Sequence, residues 1–153
     1  MFKALRRAAD RRRHADGRYG WLFQPYTGDE MVAVACRATE PDSGHGEPVA
    51  IAAVRLQGDR VLTSESLDLH VRRPEGLTAE SVRRHGLRGV DLDEGEALGV
   101  ALEQLLDFVG NRPLVGWHLE DELAMLNRGL RPRFGFDLPN AAIDVAHLFQ
   151  RRQ

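Results

Sequence analysis

The side chains best spaced for chemistry are a run of acids, Glu120, Asp121 and Glu122, with His118 just ahead of it. His118 and Glu122 are four residues apart, so on a helix they can share a face, as a pair of metal ligands would. The same run fits an electrostatic role, because carboxylates in the first turn of a helix complement the positive end of its dipole. Two ligands alone do not define a cation site. A second charged group lies at the N terminus. Residues 1–18 hold seven basic side chains against two acidic ones, net +5, while the remainder holds 14 basic against 21 acidic, net −7. Such an arm reads as a solvated helix folded back on an acidic body. Alternatively, Arg6, Arg7, Arg11, Arg12 and Arg13 contact nucleic acid. The aromatic stretch Tyr19 to Tyr26 can stack bases, or it can pin the arm onto the domain.

The elements that must position these groups follow from hydrophobic spacing. Residues 2–14, rich in Arg and Ala, read as a short helix. Met31 to Cys36 and Val49 to Leu56 are apolar runs too short for helices, as interior strands are. Gln57 to Arg60 makes a hairpin turn. The next strand alternates, with Leu67, Leu69 and Val71 on one face and Ser66, Asp68 and His70 on the other, the pattern of a sheet edge. The segment from Glu40 to Gly46 has turn chemistry, and Thr78 can cap a short helix reaching Arg84. A longer helix is predicted over 93–109 on the stripe Leu98, Ala101, Leu102, Leu105, Leu106 and Val109, stopped by Gly110 to Pro113. Pro113 to Trp117 is a fourth strand, and Leu119, Leu123, Leu126 and Leu130 mark another amphipathic helix. After a loop rich in Pro and Gly, residues 141–150 read as a strand entering a last helix. The fold class is therefore α/β: three antiparallel strands plus parallel strands in one mixed sheet, with flanking helices. Residues 1–28 form a basic helix and aromatic arm, and residues 29–153 the body. The lone Cys36 leaves no internal disulfide and suits a reducing, cytoplasmic compartment. No apolar run reaches the roughly 18–20 residues of a membrane span, so no membrane partner is expected.

The order of elements and several strings resemble the DEDD-type 3′–5′ exonucleases, relatives of the epsilon subunit of DNA polymerase III with a ribonuclease H-like fold. The strings are Val49 to Leu56, Arg84–His85–Gly86–Leu87, Arg112–Pro113–Leu114–Val115–Gly116 and Ala124–Met125–Leu126–Asn127–Arg128, and the likeness runs from about Asp29 to Phe149. Phosphodiester hydrolysis in that family implies two divalent cations, Mg or Mn, which require carboxylate ligands. The family places an Asp and a Glu two residues apart at the end of the first strand, in the pattern D-x-E-T-T-G, on one side of the strand. Here the matching positions hold Ala35 and Arg37, and only Thr39 agrees. The second motif's Asp aligns with Glu122. The third, a His general base and a final Asp five residues on, has no match: the chain ends at Gln153, and His147 is too early and has no Asp behind it. His85 aligns with a loop histidine that is not a ligand.

Arg37 cannot lose its proton and repels the cations the mechanism needs. It can instead pair with Asp121 or Glu122, in which case Arg37→Ala lowers stability. The resemblance with these departures implies an inactive exonuclease-fold protein that binds single-stranded nucleic acid or a protein partner. No cofactor is expected, and Glu122 is a vestige of the catalytic set. The alternative is an active metal-dependent exonuclease using Glu40, Asp42, Asp121 and Glu122, or a C-terminal motif supplied by a partner. A segment missing after the last predicted helix would bare apolar surface that a homodimer can cover.

Overall fold

The structure, a computed structural model, describes residues 2–39, 46–71 and 97–146. Helix α1 (Phe2–His14) and a 3₁₀ turn (Gly20–Phe23) lead into β1 (Glu30–Ala38), β2 (Pro48–Gln57) and β3 (Arg60–His70). Helix α2 (Leu98–Val109), β4 (Leu114–Gly116), α3 (Leu119–Phe134) and β5 (Ala142–Asp144) follow. The expected helix over 78–84, the string 84–87, the turn from Glu40, the first turn expected at 93–96 and residues beyond 146 lie outside the described residues.

The five strands form one sheet in the order β3-β2-β1-β4-β5. β1 pairs antiparallel with β2 and β2 with β3, whereas β4 joins β1 and β5 joins β4 in parallel. This is the mixed α/β sheet read from the sequence. The hairpin closes at Gly58, whose φ of 61° is left-handed and suits glycine. Val32 and Val34 of β1, Ile51 and Ala53 of β2, and Leu69 and Val71 share one core with the α2 stripe and with Leu126 and Leu130 of α3. Ser66, Asp68 and His70 are exposed, as the alternation required for the edge strand β3. Gly129 brings α3 close to α2: a Cβ there would stand 3.2 Å from the Cδ1 of Leu102.

The arm belongs to the same body. Tyr19 and Leu22 are buried in the common core, and the rings of Tyr19, Phe23 and Phe134 surround the buried Phe136. His14 donates from Nε2 to the Gly135 carbonyl (3.2 Å) and packs edge-on against Phe136. Asp10, only 3% exposed, accepts a 2.6 Å hydrogen bond from Arg131 of α3, and Arg131 also binds Asp137 at 2.9 Å. The end of α3 differs from the expected Pro- and Gly-rich loop. The helix continues through Pro132 to Phe134 and stops at Gly135 (φ 83°). Pro132 sits in the last turn, where its missing N–H costs a single helical bond, and Gly135 takes the left-handed cap.

A candidate nucleic-acid groove at the ends of the parallel strands

β1, β4 and β5 run in parallel, and their C-terminal ends lie side by side. In open α/β sheets that edge is where ligands bind. Gly116 ends β4 hard against β1: a Cβ there would lie 3.0 Å from the Val34 carbonyl oxygen and 3.1 Å from Leu119 Cδ1. The chain then turns through His118, in the left-handed conformation at φ 51°, before α3 begins at Leu119. His118 is therefore the residue before the helix, and it does not share a helical face with Glu122. Among the described residues no three His, Cys, Asp or Glu side chains form a group that could hold a metal ion.

Asp144, which sequence reasoning missed, organises this end. Its Oδ1 accepts the N–H of His118 at 3.0 Å and that of Ala146 at 3.0 Å, tying β5 to the start of α3. The signal available was an Asp between a strand and an expected helix, where its carboxylate binds the amide two residues on.

Glu122 comes one turn into α3. Its Oε1 accepts the backbone N–H of Cys36 at 3.2 Å, so it reaches the residue between the two motif positions 35 and 37. The fold thus places Glu122 against the strand segment that holds Ala35 and Arg37. The other carboxylate oxygen of Glu122 is sealed from solvent with no partner among the described residues. Burial pushes the Glu122 carboxyl up to about 7, with Asp144 and Asp121 adding to the rise and the Cys36 amide opposing it. Arg37 is exposed and is not among the groups that set that value. Burial first, then the charge of Glu122, pushes the Cys36 thiol above its ordinary range. Thr39, the motif residue that does agree, is buried and holds the strand end: its Oγ1 accepts the Glu47 N–H at 3.0 Å, and its own N–H donates to the Glu47 carbonyl at 3.0 Å. The β1–β2 register slips between Arg37 and Ala38, the kind of bulge found beside functional sites.

These residues do not fit a pair of divalent cations. Ala35 offers no donor atom, Arg37 is a fixed cation, and Glu122 already spends one carboxylate oxygen on the Cys36 amide. Of the unconventional ligands, Glu40 and Asp42 lie outside the described residues, and Asp121 is exposed beside Glu122.

The basic arm lies elsewhere. Arg6 pairs with Asp137 at 3.6 Å, and Arg13 is exposed. Arg7, Arg11 and Arg12 border a cleft near Pro113 and Ala141, just before β4 and β5 begin. The arginines and Glu122 therefore occupy opposite ends of the parallel strands.

The element order and the mixed sheet are those of a ribonuclease H-like fold. The solved structures it matches include those of exonuclease I. A product-bound exonuclease I has a TM-score of 0.69 at 10% identity, covering 81% of this chain and 31% of that one. The zinc-bound E. coli exonuclease I–ssDNA complex also scores 0.69 at 10% identity over 82% and 30%. E. coli exonuclease I with a dT13 oligonucleotide scores 0.67 at 12% identity over 80% and 29%. The chain thus spans about a third of the length of these proteins. No protein-family model matches the chain, and no curated protein matches it in sequence.

Proposed function

We propose that the chain is a degenerate DEDD-type exonuclease, similar in its local strings to the epsilon-subunit pattern, that binds single-stranded nucleic acid without hydrolysing it. The observation that carries this reading is that Glu122, bound to the Cys36 amide, stands against the strand segment holding Ala35 and Arg37 at the end of β1, where hydrolysis would need carboxylates. Arg37 reverses the charge of a metal ligand and can meet a phosphate instead. The exonuclease I structures it resembles include complexes with single-stranded DNA, which supports that class of ligand. Fold alone does not set activity, so the proposal rests on the site.

The test is nucleotide release from a 3′-labelled single strand with Mg²⁺ or Mn²⁺, alongside strand binding by fluorescence anisotropy. The native chain releases nothing and binds with an affinity that falls steeply with salt, and Arg37→Ala weakens binding. Metal-dependent release by the native chain, abolished by Glu122→Ala, would overturn the reading and favour an active enzyme with unconventional ligands. A second reading, a protein partner or homodimer, draws on Trp117, Ile143 and Val145, which are 55%, 37% and 36% exposed at this end of β4 and β5. It predicts self-association in sedimentation, or strand binding that is absent or indifferent to Arg37.

A further inference from the structure

At the far end of the parallel strands, α1 and the segment 22–26 enclose a cleft of about 630 Å³. Its volume lies in the range of ordinary ligand sites. α1 turns Ala4 and Ala8 toward it, side chains too small to fill it, while Leu22, Phe23 and Tyr26 supply an apolar, aromatic wall. That wall is held in place. Phe23 packs on Phe136, with ring centroids 5.5 Å apart. The Tyr26 hydroxyl accepts the Glu30 N–H at 3.1 Å, and Arg112 lies 5.9 Å over its ring. Asn140 donates to the Gly110 and Arg112 carbonyls at 2.8 and 2.7 Å, fixing the opposite side.

The rim is cationic. Arg7, Arg11 and Arg12 border the cleft from neighbouring turns of α1 and are exposed. Of the nearby acids, Asp10 pairs with Arg131, and Asp137 with Arg131 and Arg6. Among the described residues no carboxylate pairs with Arg7, Arg11 or Arg12. A solvated helix face would explain exposed arginines, but not their gathering around an unfilled aromatic cleft. A ligand matching both halves has a flat, largely apolar body and an anionic head.

We infer that this cleft is a nucleotide site, with the base against Phe23 and Tyr26 and the phosphate on Arg7 and Arg11. The chemistry is shared by a free mononucleotide and by the terminal nucleotide of a single strand. The site is about 13 Å along the sheet from the groove, the length of four strand residues, and does not depend on strand binding there.

Titration calorimetry of the full chain with adenosine 5′-monophosphate, adenosine, inorganic phosphate and a 5′-phosphorylated oligonucleotide tests it. Adenosine 5′-monophosphate should bind at least tenfold more tightly than adenosine or phosphate alone. Arg7→Glu/Arg11→Glu should lower that affinity at least tenfold with an unchanged melting temperature, and Tyr26→Leu should weaken it while leaving phosphate binding as it was. An oligonucleotide that competes with the mononucleotide identifies a strand terminus as a source, and one that does not identifies the free nucleotide. Absence of mononucleotide binding, or binding indifferent to the double substitution, overturns the assignment. So does loss of oligonucleotide binding alone, which would reduce the arginines to a general attraction for phosphates. Strand binding in the groove, measured with Arg37→Ala, survives or fails separately.

Discussion

Replacing Glu122 by Gln should make the protein insensitive to a loss of stability that the native chain suffers between acid and neutral pH. The Glu122 carboxyl ionises near 4.5 in an unfolded chain and at about 7 in the folded one. Its folded-state value is raised, so its contribution is fully present below about 4.5 and is lost as pH rises through about 7. At about 1.4 kcal/mol per pH unit the loss is at most about 3 kcal/mol, and partial solvent access reduces it to about 1–2 kcal/mol. Glutamine keeps an oxygen for the Cys36 amide and carries no charge. The small cost of the swap itself is the same at every pH, so the informative quantity is the change with pH. Urea unfolding followed by the fluorescence of Trp21 and Trp117 at pH 5, 6, 7 and 8 measures it. The midpoint of Glu122→Gln, relative to the native chain, should rise with pH by the equivalent of about 1–2 kcal/mol, or about 3–6 °C in melting temperature for a domain of this size. A difference that stays flat from pH 5 to 8, or that shrinks, would refute the link between burial at this site and a displaced proton.

Two further outcomes follow from the same contacts. Asp10→Asn should cost about 2 kcal/mol in unfolding free energy, because it removes the charge at the enclosed Asp10 position that binds Arg131, the nearer of that arginine's two carboxylates. Cys36 should react with iodoacetamide at pH 8 far more slowly than a free thiol, and the rate should rise only under denaturing conditions, since burial and Glu122 both oppose the thiolate.

Much of this fold was legible because its strands obey simple periodicity. The apolar runs at 31–36 and 49–56 became the two central antiparallel strands, and the alternation from Ser66 to Val71 marked the edge. Two of the strings that carried the resemblance, 112–116 and 124–128, hold the framework together. Asn127 accepts the Leu138 N–H at 2.9 Å, Arg128 donates to the Gly46 carbonyl at 2.9 Å, and Arg112 binds Glu30 at 2.8 Å. Such contacts serve the fold whether or not the site remains catalytic. What escaped the sequence was geometry that spacing does not encode. His118 and Glu122 have helical spacing, yet His118 turns left-handed ahead of the helix. Asp144 binds backbone amides from two elements, one of them 26 residues away. The proton affinity of Glu122 depends on burial set by packing between α3 and β1, and no local pattern announces it.

The clamp between α1 and the end of α3 has a consequence for the basic arm as a binding element. A basic tail that is mobile when free must surrender conformational freedom to engage a polyanion, at about 1–2 kcal/mol for each residue it orders. Here Asp10 and His14 have already been fixed by Arg131 and Gly135, so the turn of helix between them is ordered before any ligand arrives. Arg11, Arg12 and Arg13 in that turn act as an array of charge whose spacing is a property of the folded state. Discrimination by shape, normally beyond a flexible cationic segment, becomes available to this one.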